Sequence, residues 1–112
     1  MFSTFIFYGG DMTLRSETVY QSKLIKKLKF LFPGIHVLKN NPDELQGVPD
    51  LLLLYEDRWA MLEVKLSSSA GIQPNQKYYV DLFNEMSFAS FVYPEVEGKV
   101  LDDLQYTFGT KW

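Results

Sequence analysis

The chain of 112 residues contains no cysteine and a single histidine, His36. The first absence excludes a disulfide scaffold, thiolate metal sites and cysteine catalysis, and it fits a reducing compartment. The second excludes a histidine-rich metal site and any relay built from two imidazoles. No run of about 18 apolar residues occurs, so nothing is long enough to cross a membrane as a helix. Internal repeats and low-complexity segments are missing too, apart from Ser67-Ser68-Ser69. Aromatic residues, by contrast, are plentiful at 16%, with nine Phe, seven Tyr and two Trp. Hydrophobic residues make up 46% and charged ones 22%, the balance of an ordinary globular domain rather than a disordered chain. At this length one domain buries enough surface to dispense with covalent staples.

The net charge of -3 and the pI of about 5.0 argue at first against a nucleic-acid partner. The distribution of the charge weakens that argument. Residues 1–40 carry six basic and two acidic side chains, whereas residues 41–112 carry five basic and twelve acidic ones. A chain divided in this way can present a basic face while placing its carboxylates elsewhere.

Residues 1–13 read as an N-terminal extension or an extra edge strand, and residues 14–112 as a single domain. The opening segment Met1–Tyr8 is apolar but lacks the basic leader and cleavage site of a signal peptide. Codons for Gly9-Gly10-Asp11 can spell a bacterial ribosome-binding sequence, so a native start at Met12 is expected, with residues 1–11 as upstream translation. A helix is predicted from about Leu14 to Phe32, with Ser16 as its N-cap and Pro33-Gly34 as its stop. Ile35–Leu38 is a short strand, and Asn40-Asn41-Pro42-Asp43 a turn. Val48–Tyr55 is a nearly continuous apolar run, expected of a central strand covered on both faces. Glu56-Asp57 turns the chain into a partner strand, Arg58–Leu66. After a loop, Pro74 opens a helix to about Met86. Phe88–Tyr93 is a fourth strand, and Glu97–Phe108 leans toward a short helix. The expected fold class is α/β, a mixed sheet flanked by helices in the order α-β-β-β-α-β.

Chemistry gathers at one end of the predicted hairpin. Pro49-Asp50 opens one strand and Glu63-Val64-Lys65 closes the other, with twelve residues between Asp50 and Glu63. Alternation puts Trp59, Met61, Glu63 and Lys65 on one face. Antiparallel pairing lays the start of one strand beside the end of the other, so Asp50 falls close to Glu63. Two buried carboxylates need a compensating cation. Lys65 can neutralise one, and a hard divalent ion such as Mg²⁺ can neutralise both. The plainer alternative is a surface hairpin with a cross-strand ion pair.

Two helices add to this set. At ~100° per residue, Gln21, Leu24, Leu28 and Leu31 all lie within about 40° of Glu17, which points Glu17 with the apolar stripe toward the sheet. A helix-end charge favoured by the macrodipole is the simpler account of Glu17 alone. On the second helix Gln76 shares a face with Val80 and Phe83, beside the end of the Lys65 strand.

Glu17, Gly47-Val48-Pro49-Asp50, Glu63-Val64-Lys65 and Gln76, in this order on these elements, resemble the PD-(D/E)xK nuclease superfamily. Within it the standalone VRR-NUC nucleases and the phage-type Holliday-junction resolvases look nearest. The resemblance covers about residues 14–94; the Glu-x-Lys triplet is common by itself, and the joined set is more specific. It implies a restriction-endonuclease-like core and a Mg²⁺- or Mn²⁺-dependent endonuclease that hydrolyses phosphodiester bonds of DNA, branched or Holliday-junction DNA in particular. Asp50 and Glu63 would hold the metal together with the Val64 carbonyl. Glu17 would ligate directly, through water, or by way of a second ion. Lys65 would orient the attacking water, and Gln76 would fix Lys65 or contact the nucleic-acid backbone. A homodimer is implied if junctions are the substrate, because two strands must be cut. The cytoplasm of a bacterium or of a phage-infected host is the expected location.

Lys39, Lys77 and Ser67 to Ser69 flank this site and are the expected nucleic-acid contacts, with Ser67 and Ser68 foremost. Lys23, Lys26, Lys27 and Lys29 form a solvated helix face or a phosphate patch. Tyr78, Tyr79 and Trp59 either stack on bases or pack in the core. His36 reads as structural. Two other functions compete: a non-catalytic nucleic-acid-binding module with the same fold, and an interaction protein using the acidic stretch from Glu95 to Asp103.

Overall fold

The computed structural model describes residues 9–41 and 43–110, with side-chain surroundings from Ser16 onward. Its elements are α1 (Gly9–Leu31), β1 (His36–Lys39), β2 (Leu51–Tyr55), β3 (Arg58–Val64), α2 (Pro74–Met86), β4 (Phe88–Val92) and α3 (Glu97–Phe108). The four strands form one sheet in the order β1-β2-β3-β4. The β1–β2 and β2–β3 pairs are antiparallel and β3–β4 is parallel, so the sheet is mixed. A parallel neighbour cannot be reached by a tight turn, and α2 is the crossover that joins β3 to β4.

The apolar alternation of β3 sorts the core into two layers. Ala60, Leu62 and Val64 face one side, where they pack with Leu24 and Leu28 of α1, with Phe32 just beyond its end, and with Val100, Leu104 and Phe108 of α3. Met61 and Trp59 face the other side and pack against Val80 and Phe83 of α2. The helices thus cover both faces, which explains why Leu51 to Leu54 can be apolar without interruption. Phe32 anchors the larger layer, its ring edge-on to Phe108 at 5.3 Å and to Tyr55 at 5.8 Å.

Several boundaries differ from expectation. Ser16 is not an N-cap but lies inside α1, which already begins at Gly9. No proline interrupts residues 9–16, so nothing stops the helix from running upstream. The extra edge strand expected within residues 1–13 falls largely on residues 1–8, outside the described residues. β2 starts at Leu51 rather than Val48, because Pro49 offers no N–H to a ladder. Instead the Asn40 side chain donates to the Pro49 carbonyl at 2.8 Å, and the Asn40 N–H to the Asp50 carbonyl at 2.8 Å. His36 is exposed on the edge strand β1 rather than enclosed, and it pairs with Leu54, at the end of the sheet away from Asp50.

The segment after β4 is a full element. Val100, Leu101, Leu104 and Phe108 of α3 are buried, and Gly109 ends the helix in the left-handed region at φ 71°. Tyr20 donates to Glu97 at 2.9 Å, and Lys27 pairs with the same carboxylate, tying α1 to α3. No helix among the described residues is long and apolar enough to cross a membrane.

Candidate metal centre

Asp50 and Glu63 meet because β2 and β3 pair antiparallel, Leu51 opposite Leu62. Each carboxylate is held by the other's strand. The Asp50 N–H donates to Glu63 Oε1 at 3.2 Å, and the Val64 N–H donates to Asp50 Oδ2 at 2.9 Å. Because the N–H and the carbonyl of one strand residue leave from the same edge, the Val64 carbonyl opens toward Asp50 as well.

Lys65 and Gln76 complete the constellation from the other side. Gln76 Nε2 donates to Glu63 Oε2 at 3.2 Å, while Gln76 Oε1 accepts from Lys65 Nζ at 2.9 Å and from the Gln73 N–H at 3.0 Å. Lys65 Nζ also donates to the Gly71 carbonyl at 3.0 Å and lies 3.8 Å from Glu63 Oε2. Two of its three protons are therefore spent on fixing the ammonium, and one is left for the carboxylates or a ligand. Gln76 is in turn locked by the start of α2, whose capping box pairs it reciprocally with Gln73. The alternation that put Glu63 and Lys65 on the α2 side is the one observed, and both are buried, 4% and 8% exposed.

Charge does not balance here. Glu63 is pushed up to about 8, first by burial and then by the Asp50 charge, against the opposing pull of Lys65. Asp50 is raised by burial, opposed by the Val64 hydrogen bond and by Lys65. Glu17 is raised by burial and by Asp50, while Lys65 and a backbone hydrogen bond from Leu66 pull it down. Three carboxyl groups thus share one ammonium, and each resists ionising. A hard divalent cation removes that deficit.

The donor set fits Mg²⁺ or Mn²⁺: two carboxylates and a carbonyl, all oxygen, with water to complete the shell. Among the described residues no three acidic or histidine side chains gather closely enough to cage a metal by themselves. Glu17 is close enough for its charge to couple to those of Asp50 and Glu63.

The flanking residues divide. Lys39 is exposed and in register with Leu51, which puts it on the α1 side of the sheet, the face opposite Glu63 and Lys65. Ser67 Oγ and Ser69 Oγ lie 2.9 Å apart in the loop that follows Lys65. Ser68, in contrast, leans on Glu95 through its N–H and hydroxyl at 3.4 and 3.3 Å, and Lys77 is paired with Asp81 at 2.6 Å. Trp59 packs edge-on to Phe83 at 6.3 Å within the smaller core layer, and the half-buried Tyr79 stacks on Phe83 at 5.9 Å, whereas Tyr78 is 60% exposed. Lys23, Lys26 and Lys29 are exposed on α1.

Sequence reasoning missed two contributors, and it named Gly47 only as part of the motif, without a role. Asn40 pins the Pro49-Asp50 backbone, and its only signal was membership of a turn cluster. The Gly71 carbonyl, one of the two acceptors that fix Lys65, is a backbone group with no side-chain signature. Gly47 adopts φ 93°, and a Cβ there would stand 2.7 Å from Asn75 Cγ, so glycine permits the loop to close on α2. That closure forms a polar cleft of about 400 Å³ beside the pair, lined by Gln46, Gly47, Gln73, Asn75 and Gln76.

Compared with known proteins, the chain matches no family model, no curated protein and no solved structure.

Proposed function

We propose that this protein is a Mg²⁺- or Mn²⁺-dependent endonuclease that hydrolyses phosphodiester bonds in DNA, with branched or junction DNA as its substrate class. The observation that carries this reading is the reciprocal Asp50–Glu63 pair, in deficit of positive charge, facing a lysine whose ammonium is fixed by Gln76 and Gly71. The resemblance of Gly47-Val48-Pro49-Asp50, Glu63-Val64-Lys65 and Gln76 to the PD-(D/E)xK nucleases points the same way.

Asp50, Glu63 and the Val64 carbonyl would hold the cation, with Glu17 acting through water or toward a second ion. The ion supplies an activated water and an electrophile for the phosphoryl oxygen. The chain's own groups do the rest. Lys65 directs its remaining proton at the attacking water or at a phosphate oxygen, and offsets the charge that builds there. Gln76 keeps Lys65 and Glu63 at a fixed separation. Ser67, in the loop after Lys65, would contact the nucleic-acid backbone; Lys39 would reach it from the α1 side, and Ser68 and Lys77 would have to leave Glu95 and Asp81 to serve in the same way. On this reading the protein would act in the cytoplasm of a bacterium or of a phage-infected host.

The test is incubation with a labelled four-way junction, a flap, a linear duplex and a single strand, with Mg²⁺ or Mn²⁺, beside Glu63→Ala. Cleavage of a structured substrate that EDTA and the substitution both abolish is the expected result. Cleavage that survives in Glu63→Ala and in Lys65→Ala removes the assignment.

A further inference from the structure

β4 is one of the two edges of the sheet, opposite β1, and a groove of about 470 Å³ runs along it between α2 and α3. Its floor is apolar, from Val80, Ala89, Phe91, Val96 and Val100. We infer that β4 pairs with β4 of a second copy of this chain, antiparallel, about a two-fold axis that passes between Ser90 and its copy.

The backbone pattern selects that pairing. The Lys65 N–H donates to the Val92 carbonyl at 2.8 Å, so Phe88, Ser90 and Val92 turn their backbone groups to β3, while Ala89 and Phe91 turn theirs outward. Of the four outward groups, the Ala89 N–H is held by Asn84 Oδ1 at 3.1 Å and the Phe91 carbonyl by Ser90 Oγ at 2.8 Å. The Ala89 carbonyl and the Phe91 N–H have no such partner among the described residues. With Ser90 opposite its own copy, the Phe91 N–H reaches the partner's Ala89 carbonyl, and the reciprocal bond forms by symmetry. The two groups left open on each copy are the two that this pairing uses. The side-chain bonds to the other two end the ladder there.

The banks of the groove agree. α2 carries Lys77 and Asp81, and α3 carries Lys99 and Asp103, each pair one turn apart. A two-fold axis reverses the order of each pair, so lysine faces aspartate across both banks, as a self-complementary interface requires. Pairing also covers an edge that otherwise invites indiscriminate strand addition.

Resting on the nuclease reading, one consequence concerns the sites themselves. Glu63 is in register with Phe91. Three strand spacings and a two-residue offset place the two Glu63 Cα atoms about 16 Å apart, on the same side of the joined sheet. Two antiparallel strands would thus each meet one site.

The interface is tested without reference to cleavage. Facing residues of a non-bonded antiparallel pair lie about 4.5 Å apart at Cα, within disulfide range, and the chain has no cysteine of its own. Under mild oxidation, full-length Ser90→Cys should become mostly cross-linked dimer, whereas Asp57→Cys, in the distant hairpin turn, should not. Light scattering should find the unmodified chain dimeric. Lys99→Asp should raise the dissociation constant about tenfold, since it is felt twice across the axis, and Lys99→Asp/Asp103→Lys should restore it. A monomer at all concentrations, or a Ser90→Cys that cross-links no faster than Asp57→Cys, overturns the proposal. A cross-linked dimer that cuts no DNA would keep the interface and remove the nuclease.

Discussion

Replacing Glu63 by glutamine should make the metal-free protein more stable at alkaline pH, not less. In the folded chain Glu63 titrates at about 8 instead of its ordinary 4.5, chiefly because it is buried and next because Asp50 stands beside it. The folded state therefore holds this proton more tightly than the unfolded chain does. Stability from this group is complete below the lower value, falls as the pH rises between the two, and is fully lost above the upper one. The slope is at most about 1.4 kcal/mol per pH unit, and the whole window amounts to about 5 kcal/mol as a ceiling. That is a large share of the ~5–15 kcal/mol that stabilises a typical domain. Glutamine keeps the shape and most of the hydrogen bonds, at a loss of about 1 kcal/mol for the altered contact with Gln76. Urea unfolding in EDTA, repeated from about pH 5 to pH 9, reads the difference directly. The original chain should lose stability across the window. Glu63→Gln should lose much less, and should overtake it near the alkaline end. Added Mg²⁺ should restore the original chain there and leave the variant unchanged. Parallel pH curves for the two proteins would refute the reasoning, because Glu63 would then not be the strained acid.

Three further outcomes follow from the same geometry. Lys65→Met removes the ammonium that lowers Glu17, Asp50 and Glu63, so all three carboxyls should titrate higher; kcat for DNA cleavage should fall about 100-fold or more with little change in KM. Gly47→Ala should destabilise the protein by about 2 kcal/mol, measured by denaturant unfolding, since the residue sits at φ 93° and its Cβ would meet Asn75 at 2.7 Å. Leu104→Ala should destabilise by about 2–5 kcal/mol on the same measurement, because Leu104 is fully buried in the layer that α3 shares with α1. An unchanged midpoint in Leu104→Ala would contradict the packing of α3 against α1.

Local patterns made the site's core legible. Period-two alternation is rigid over a strand as short as Arg58–Val64, so the shared face of Met61 and Glu63 could be read directly, and Lys65 follows in phase. The tight Glu56-Asp57 turn then fixed Asp50 against Glu63. Pro74 marked the start of α2 to the residue, which placed Gln76 correctly. Long-range relations were not legible. The antiparallel register of β1 on β2 rests on Asn40 and on a loop with weak periodicity, and the apolar neighbours of His36 gave no sign of its exposure. It is exposed because β1 is an edge. Glu17 was placed on the correct stripe, but a helical angle gives a direction and not a distance. The Lys77–Asp81 ion pair and the Ser68–Glu95 hydrogen bonds turn on side-chain rotamers, to which charge counts along the sequence are blind.

The most direct test of the central claim is a calorimetric titration of Mn²⁺ into the full-length protein near neutral pH, alongside Asp50→Asn. The account predicts one tight oxygen-ligated site, accompanied by release of a proton from Glu63, and its disappearance in Asp50→Asn while the fold persists. Binding that is absent from the original chain, or that survives unchanged in Asp50→Asn, would contradict it.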